Sequence, residues 1–211
     1  MRIIKHGHAC VRLETGASAV VVDPGMFTAR DALDGATAVL ITHEHPDHWT
    51  PEQLLATSAP IFTIAAVAEQ IRFQVPAVAE RVTVVEPGDR FDAGVMVTAI
   101  GEQHAVIHPD LVRIDNSGYL FEIEGSTVFH PGDALNTLPA TPDVLLLPVS
   151  APWLKISECI DYARDIGAHT SIAIHDAIYS DAGLGIVDGH LRRFLGARDQ
   201  HYVRMQPGEE L

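Results

Sequence analysis

Residues 43–48 read His-Glu-His-Pro-Asp-His, placing three imidazoles and the Asp47 carboxylate within six positions. Imidazole and carboxylate are the ligand types of zinc-like divalent cations, so this density of them reads as metal chemistry. In extended backbone His43 and His45 project to the same side and can reach one ion. Pro46 bends the chain and turns Asp47 and His48 toward a second position. The competing reading, a solvated histidine-rich surface loop, does not account for the convergence of the four donors.

The surrounding elements explain how such a turn is held. Val39, Leu40 and Ile41 form an uninterrupted apolar run, as in a strand buried on both faces, and Pro46 cannot continue a sheet ladder. Thr50-Pro51-Glu52-Gln53 then starts a helix, with a capping threonine, a proline at the first helical position and a glutamine in the capping-box place. Along the rest of the chain, strands are expected near 2–4, 9–13, 19–22, 38–42, 60–63, 82–85 and 91–100, with helices near 51–56 and 65–73. A hairpin is expected from 118–124 and 127–129 across Gly125-Ser126, followed by a buried strand at 144–147. A helix capped by Ser157 and stopped by Gly167 comes next, then a strand at 171–174 and a last helix near 186–195.

At 211 residues and 47% apolar composition, one domain spanning residues 1–211 can bury a sizeable core. The start Met1-Arg2-Ile3-Ile4-Lys5 carries no hydrophobic signal region, and no apolar stretch nears the ~20 residues a membrane span requires. A soluble, cytoplasmic protein is expected. Cys10 and Cys159 form no CxxC pair and imply neither a disulfide framework nor a cysteine zinc site. Twenty-eight acidic against fourteen basic residues give a net charge of −14, which opposes nucleic acid or an anionic membrane as partner. Twelve histidines add to the metal signal.

Further candidate ligands fall where strands end. His104 and His108 both follow the strand near 95–100, with His104 nearer its rigid end, where a ligand is better fixed. Asp133 follows the strand 127–129 through Pro131-Gly132, a sequence that also suits an ordinary turn, and His175 directly ends the strand 171–174. His169, His190 and His201 read as surface residues.

The HxHxDH turn His43 to His48, the pair Gly132-Asp133 and Ala173-Ile174-His175, in that order, resemble the metallo-β-lactamase-fold hydrolases. The similarity extends from Gly7-His8-Ala9 and the turn Val22-Asp23-Pro24-Gly25 to His175. It is closest to the small branch that includes ascorbate-phosphate lactonase-like proteins. The resemblance implies an α+β fold, a four-layer αβ/βα sandwich with two metals at the sheet rim. His43, His45 and His104 would hold the first metal, Asp47, His48 and His175 the second, and Asp133 would bridge them.

Diiron members of that superfamily place a glutamate where this chain has His45. The imidazole-rich set therefore favours two Zn2+ ions, with Mn2+ or Fe2+ as alternatives. Such a pair lowers the pKa of a shared water from ~15.7 toward ~7, giving a hydroxide that attacks an acyl or phosphoryl centre, with Asp47 orienting it. Asp23 and His130 are candidates for fixing imidazole tautomers behind the ligands. Trp153 could form an apolar wall and Lys155 an anion anchor of a substrate pocket. The reaction expected is hydrolysis of an ester, lactone, thioester, amide or phosphoester of a small molecule; fold does not choose among these. Three rival readings are an RNase-Z-type nuclease, disfavoured by the acidic charge, a mononuclear iron dioxygenase, and a non-catalytic metal-binding protein.

Overall fold

The computed structural model describes residues 1–211 and contains two β-sheets. The first runs in the order β1 (Arg2–Gly7), β2 (Cys10–Glu14), β3 (Ala19–Val22), β4 (Ala38–Ile41), β5 (Ile61–Thr63) and β6 (Val82–Val84). The second, read from the opposite end of the chain, has β13 (His201–Val203), β12 (Thr170–Ile174), β11 (Val144–Pro148), β10 (Ser126–His130), β9 (Gly118–Ile123), β8 (Met96–Ile100) and β7 (Arg90–Asp92).

Alternation along the strands decides the layering. In β4, Ala38 and Leu40 turn toward the second sheet, where they join Val22, Phe121, Leu146 and Ile172 in the core between the sheets. Val39 and Ile41 turn outward onto Leu54, Val67 and Ile71, residues of α1 (Pro51–Leu55) and α2 (Ala65–Gln74). In β11 the same alternation sends Leu145 and Leu147 against Cys159, Ala163 and Leu191, residues of α3 (Ile156–Ile166) and α4 (Asp181–Gly196). The result is the expected four-layer sandwich of the metallo-β-lactamase fold. No helix is long and apolar enough to cross a membrane.

The parallel pairings of β3, β4 and β5 and of β10, β11 and β12 direct their C-terminal ends to one rim. Hydrogen bonds tie the two sheets together there. Tyr119 Oη donates to Ile41 O at 2.8 Å, and the backbone N–H groups of Ser117 and His175 donate to Thr42 O at 2.9 Å and His8 O at 3.1 Å.

Several expected boundaries differ. The strand expected at 91–100 is two strands, β7 and β8, paired antiparallel around Gly94 at φ +87°, a conformation glycine adopts without strain. Helix α3 begins at Ile156, because the Glu158 carboxylate accepts the Lys155 N–H at 3.2 Å and moves the cap ahead of Ser157. Helix α4 starts at Asp181, capped by Ser180; Gly183, Gly185 and Gly189 mask its early turns, since glycine is a poor helix former. Strand β13, which the sequence pattern did not mark, adds to the edge of β12 in parallel register.

Candidate metal centre

Each candidate ligand leaves its element where regular pairing stops. The turn 43–48 follows β4, His104 follows β8, Asp133 follows β10 through Pro131-Gly132, and His175 follows β12 at φ +57°. His8 occupies the tight turn between β1 and β2 at φ +50°. Left-handed backbone at a non-glycine residue costs on the order of 1–3 kcal/mol and persists only where the surroundings enforce it. Close packing also constrains the turn: a Cβ on Gly25 would collide with the Asp47 carbonyl.

The structure brings all seven sequence-derived ligands together and adds an eighth residue. His43, His45, His104 and Asp133 place one donor atom each within 4.8 Å of one another, and His8, Asp47, His48 and His175 form a second such group. Asp133 lies between them, 3.1 Å from His175 Nε2, 3.2 Å from His48 Nε2 and 3.4 Å from His104 Nε2. His108, by contrast, is exposed and faces Asp110 at 3.7 Å.

Hydrogen bonds behind the imidazoles fix which nitrogen faces inward. His48 Nδ1 lies 2.7 Å from Asp23 Oδ2, His104 Nδ1 lies 2.6 Å from Ala105 O, and His175 Nδ1 contacts Ser150 O. Thr42 Oγ1 donates to Asp23 Oδ2 at 2.8 Å and so accepts from His43 Nδ1 at 3.0 Å. In its neutral form each of these four rings therefore carries its proton on Nδ1 and turns the Nε2 lone pair into the site; His45 turns its Nδ1 toward His43 Nε2 at 3.1 Å. His130 is occupied on both sides, with Nδ1 accepting from Gly132 N at 3.1 Å and Nε2 donating to Ala9 O at 3.0 Å. It buttresses the turn that presents Asp133.

His8 is oriented the opposite way. Its Nδ1 accepts the Ala177 N–H at 3.1 Å, so the proton sits on Nε2 and is donated to Asp47 Oδ2 at 3.1 Å. Sequence reasoning missed this residue, which lies 39 positions from its partner; its signal was a histidine in a tight turn at a strand end.

Of the two expected pocket residues, Trp153 is half-buried at the centre, but its role differs: its Nε1 donates to Asp133 Oδ2 at 3.1 Å, and its ring lies 5.9 Å from that of His104. Lys155 is not brought to the site. It is 79% exposed and pairs with Glu158 at 3.2 Å, because its backbone caps α3 and its side chain follows the helix.

Each of the two groups has the donor types and convergence to hold a metal ion. Four of the eight buried side-chain polar atoms without a hydrogen-bond partner meet here: His48 Nε2, His104 Nε2, Asp133 Oδ1 and His175 Nε2. Unpartnered buried polar atoms are costly, and their convergence marks a place for a ligand. The electrostatics agree. Burial disfavours a charged His48, yet Asp133 and Asp23 outweigh it and raise its pKa well above the ordinary imidazole value. Burial also opposes charging His175, but Asp133 and Asp47 lift it to about 9. Asp133 is held well below the usual carboxylate range despite burial, by His48 and His175, and Asp47 is lowered likewise through its bonds to His175 and His8. His43, farther from the carboxylates, is lowered by burial and by His48. Positive charge is thus favoured beside Asp133 and Asp47, at His48 and His175, and disfavoured at His43, His45 and His8, where burial dominates.

Residues 2–175 match the β-lactamase superfamily domain. The chain belongs to this family. Among relatives of this superfamily member, Protein Rv0786c of Mycobacterium tuberculosis is 35% identical over 200 residues, covering 90% of this chain and 91% of that protein. A UPF0173 metal-dependent hydrolase of Methanoregula boonei is 30% identical over 223 residues, covering 97% and 95%. The crystal structure of a putative metal-dependent hydrolase from Parabacteroides distasonis has the same fold, with a TM-score of 0.77 at 20% identity over 96% of this chain and 91% of that one.

Proposed function

We propose that this superfamily member is a metal-dependent hydrolase with a binuclear centre. His43, His45 and His104 hold one ion, Asp47, His48 and His175 the other, and Asp133 is shared. The observation that carries this reading is the convergence of four unpartnered buried donor atoms between two groups of ligand residues. Zinc is the preferred ion because five of the seven ligands are imidazoles, and the UPF0173 relatives named metal-dependent hydrolases support the reaction class.

When bound, such ions polarise the scissile bond and lower the pKa of water toward neutrality. The chain's own residues supply the positioning. Asp23 and Thr42 lock His43 and His48, Ser150 orients His175, and Trp153 and His8 donate hydrogen bonds to the two carboxylates. The substrate is proposed to be a small ester-like or phosphoester molecule, since the net charge of −14 opposes nucleic acid. Two buried, unpaired cysteines fit a cytoplasmic location.

Elemental analysis of protein purified without chelator and reloaded with excess zinc tests the centre. About two ions per chain are expected, with His43→Ala and Asp47→Ala each losing about one. One ion or none in the wild type would sink the binuclear reading. A panel of lactone, thioester, β-lactam and phosphodiester substrates then selects the bond.

A further inference from the structure

Beyond His104 the chain makes a loop, residues 105–114, before entering β9. Both ends are pinned to the site: Ala105 N–H donates to Asp133 O at 2.7 Å and His104 N–H to Ile114 O at 3.0 Å. Arg113 tightens the closure, its Nε donating to His104 O at 2.5 Å and its Nη1 to Gln103 Oε1 at 2.9 Å. A half-open cavity of about 180 Å³ lies beneath this loop, with His45 and His104 on one side and Val106, Ile107, Leu111 and Val112 among its lining.

Those four apolar side chains are 52%, 42%, 57% and 92% exposed. Scattered exposed hydrophobes are ordinary, but four on one pinned loop, bordering a concavity that opens at two ligand imidazoles, mark a binding surface. No carboxylate lines it; of its basic side chains, Arg113 commits Nε and Nη1 to closing the loop, and the exposed His108 lies 3.7 Å from Asp110, so most of the lining is apolar. Its volume is close to the ~150 Å³ that accommodates benzene in an apolar protein cavity.

We infer that this cavity is the specificity pocket of the proposed hydrolase and takes an uncharged aryl or short branched-alkyl group attached to the bond held at the metal pair. The inference rests on the binuclear reading and deepens it by naming the substrate class.

Metal-anchored thiols test it without requiring the true substrate. The full-length protein is reconstituted with cobalt(II), its metal content measured, and titrated separately with benzyl mercaptan and 2-mercaptoethanol, following the thiolate-to-cobalt charge-transfer absorption. Benzyl mercaptan is expected to bind at least ~10-fold more tightly, because burying its ring removes apolar surface from water. Ile107→Ser and Leu111→Ser, neutral polar changes at exposed positions, should bring benzyl mercaptan affinity down toward that of 2-mercaptoethanol while leaving cobalt content unchanged. Ile178→Ser, in the segment after His175 whose Ala177 N–H bonds His8, should leave the preference intact. Equal affinities for the two thiols, a preference that survives both loop variants, or one that moves with Ile178 instead overturns the pocket assignment while the metal centre stands. Absence of bound cobalt with no charge-transfer band would take down the metal reading and the inference with it.

Discussion

Whether an imidazole in this site binds an ion or serves one that does is decided by the hydrogen bond on its far nitrogen. His43, His48, His104 and His175 commit Nδ1 to Thr42, Asp23, Ala105 and Ser150 and leave Nε2 free. His8 has Nδ1 occupied by the Ala177 N–H and presents an N–H to Asp47. The bond geometry predicts that His8 positions Asp47, so its amide mimic should suffice: His8→Gln is expected to retain near-native zinc affinity, whereas His8→Ala loses about 10-fold or more, the usual scale for groups that orient a ligand. Competition against a chromophoric chelator reads both. If His8→Gln falls as far as His8→Ala, or binds one ion fewer, His8 is itself a ligand. At this scale the sequence was legible wherever donors are dense or directly end a strand, as at His43 to His48 and His175. It was opaque for His8 and for the Trp153 bond to Asp133, because both depend on contacts between distant segments that local spacing does not encode.

Strands β1 and β12 meet across the seam between the sheets, and Lys5 joins them. Its ammonium, 1% exposed, donates to Ala173 O at 2.8 Å and to Asp176 Oδ1 at 3.1 Å, bracketing His175. Burial lowers the Lys5 pKa below its ordinary 10.5, with Asp176 partly offsetting the shift and the Arg204 field adding to it. Cys10, the other neighbour, is pushed up to about 12 and stays a thiol through this range. With the folded value below the unfolded one, the unfolded chain binds more protons between the two, so the contribution of Lys5 to stability rises with pH across that window. Below it, the buried charge is a constant cost. The melting temperature of wild type minus that of Lys5→Met should therefore increase as pH rises toward the ordinary lysine value of 10.5; a difference that stays flat or shrinks would contradict the buried-ammonium account. Element reading from sequence succeeded where apolar alternation is strong, as in β4 and β11. It failed where tertiary pairing overrides local pattern: β13 is three residues held by the edge of β12, and α4 forms through glycines because Leu184, Val187 and Leu191 are buried against the second sheet.

The proposed ligands come from both halves of the sandwich: His43, His45, Asp47 and His48 follow a strand of the first sheet, while His104, Asp133 and His175 follow strands of the second. A metal pair would consequently clamp the two sheets at their shared rim, beside the Tyr119–Ile41 and Ser117–Thr42 bonds that already join them. It would also offset part of the −14 net charge, whose self-repulsion opposes the compact state. An ion that binds only the folded chain stabilises it by about 2.7 kcal/mol at a hundred times its dissociation constant. At 2–4 °C per kcal/mol for a domain of this size, that amounts to roughly 5–10 °C per ion. Stripping metal with a chelator should thus lower the melting temperature by at least that amount, and zinc should restore it. His43→Ala, which leaves the Asp47, His48 and His175 set intact, should keep only part of the zinc-dependent rise. Calorimetric scans of zinc-loaded and chelated protein, wild type and variant, decide the matter, and identical melting temperatures with and without saturating zinc would mean that the two sheets are held at this rim by the protein's own bonds alone.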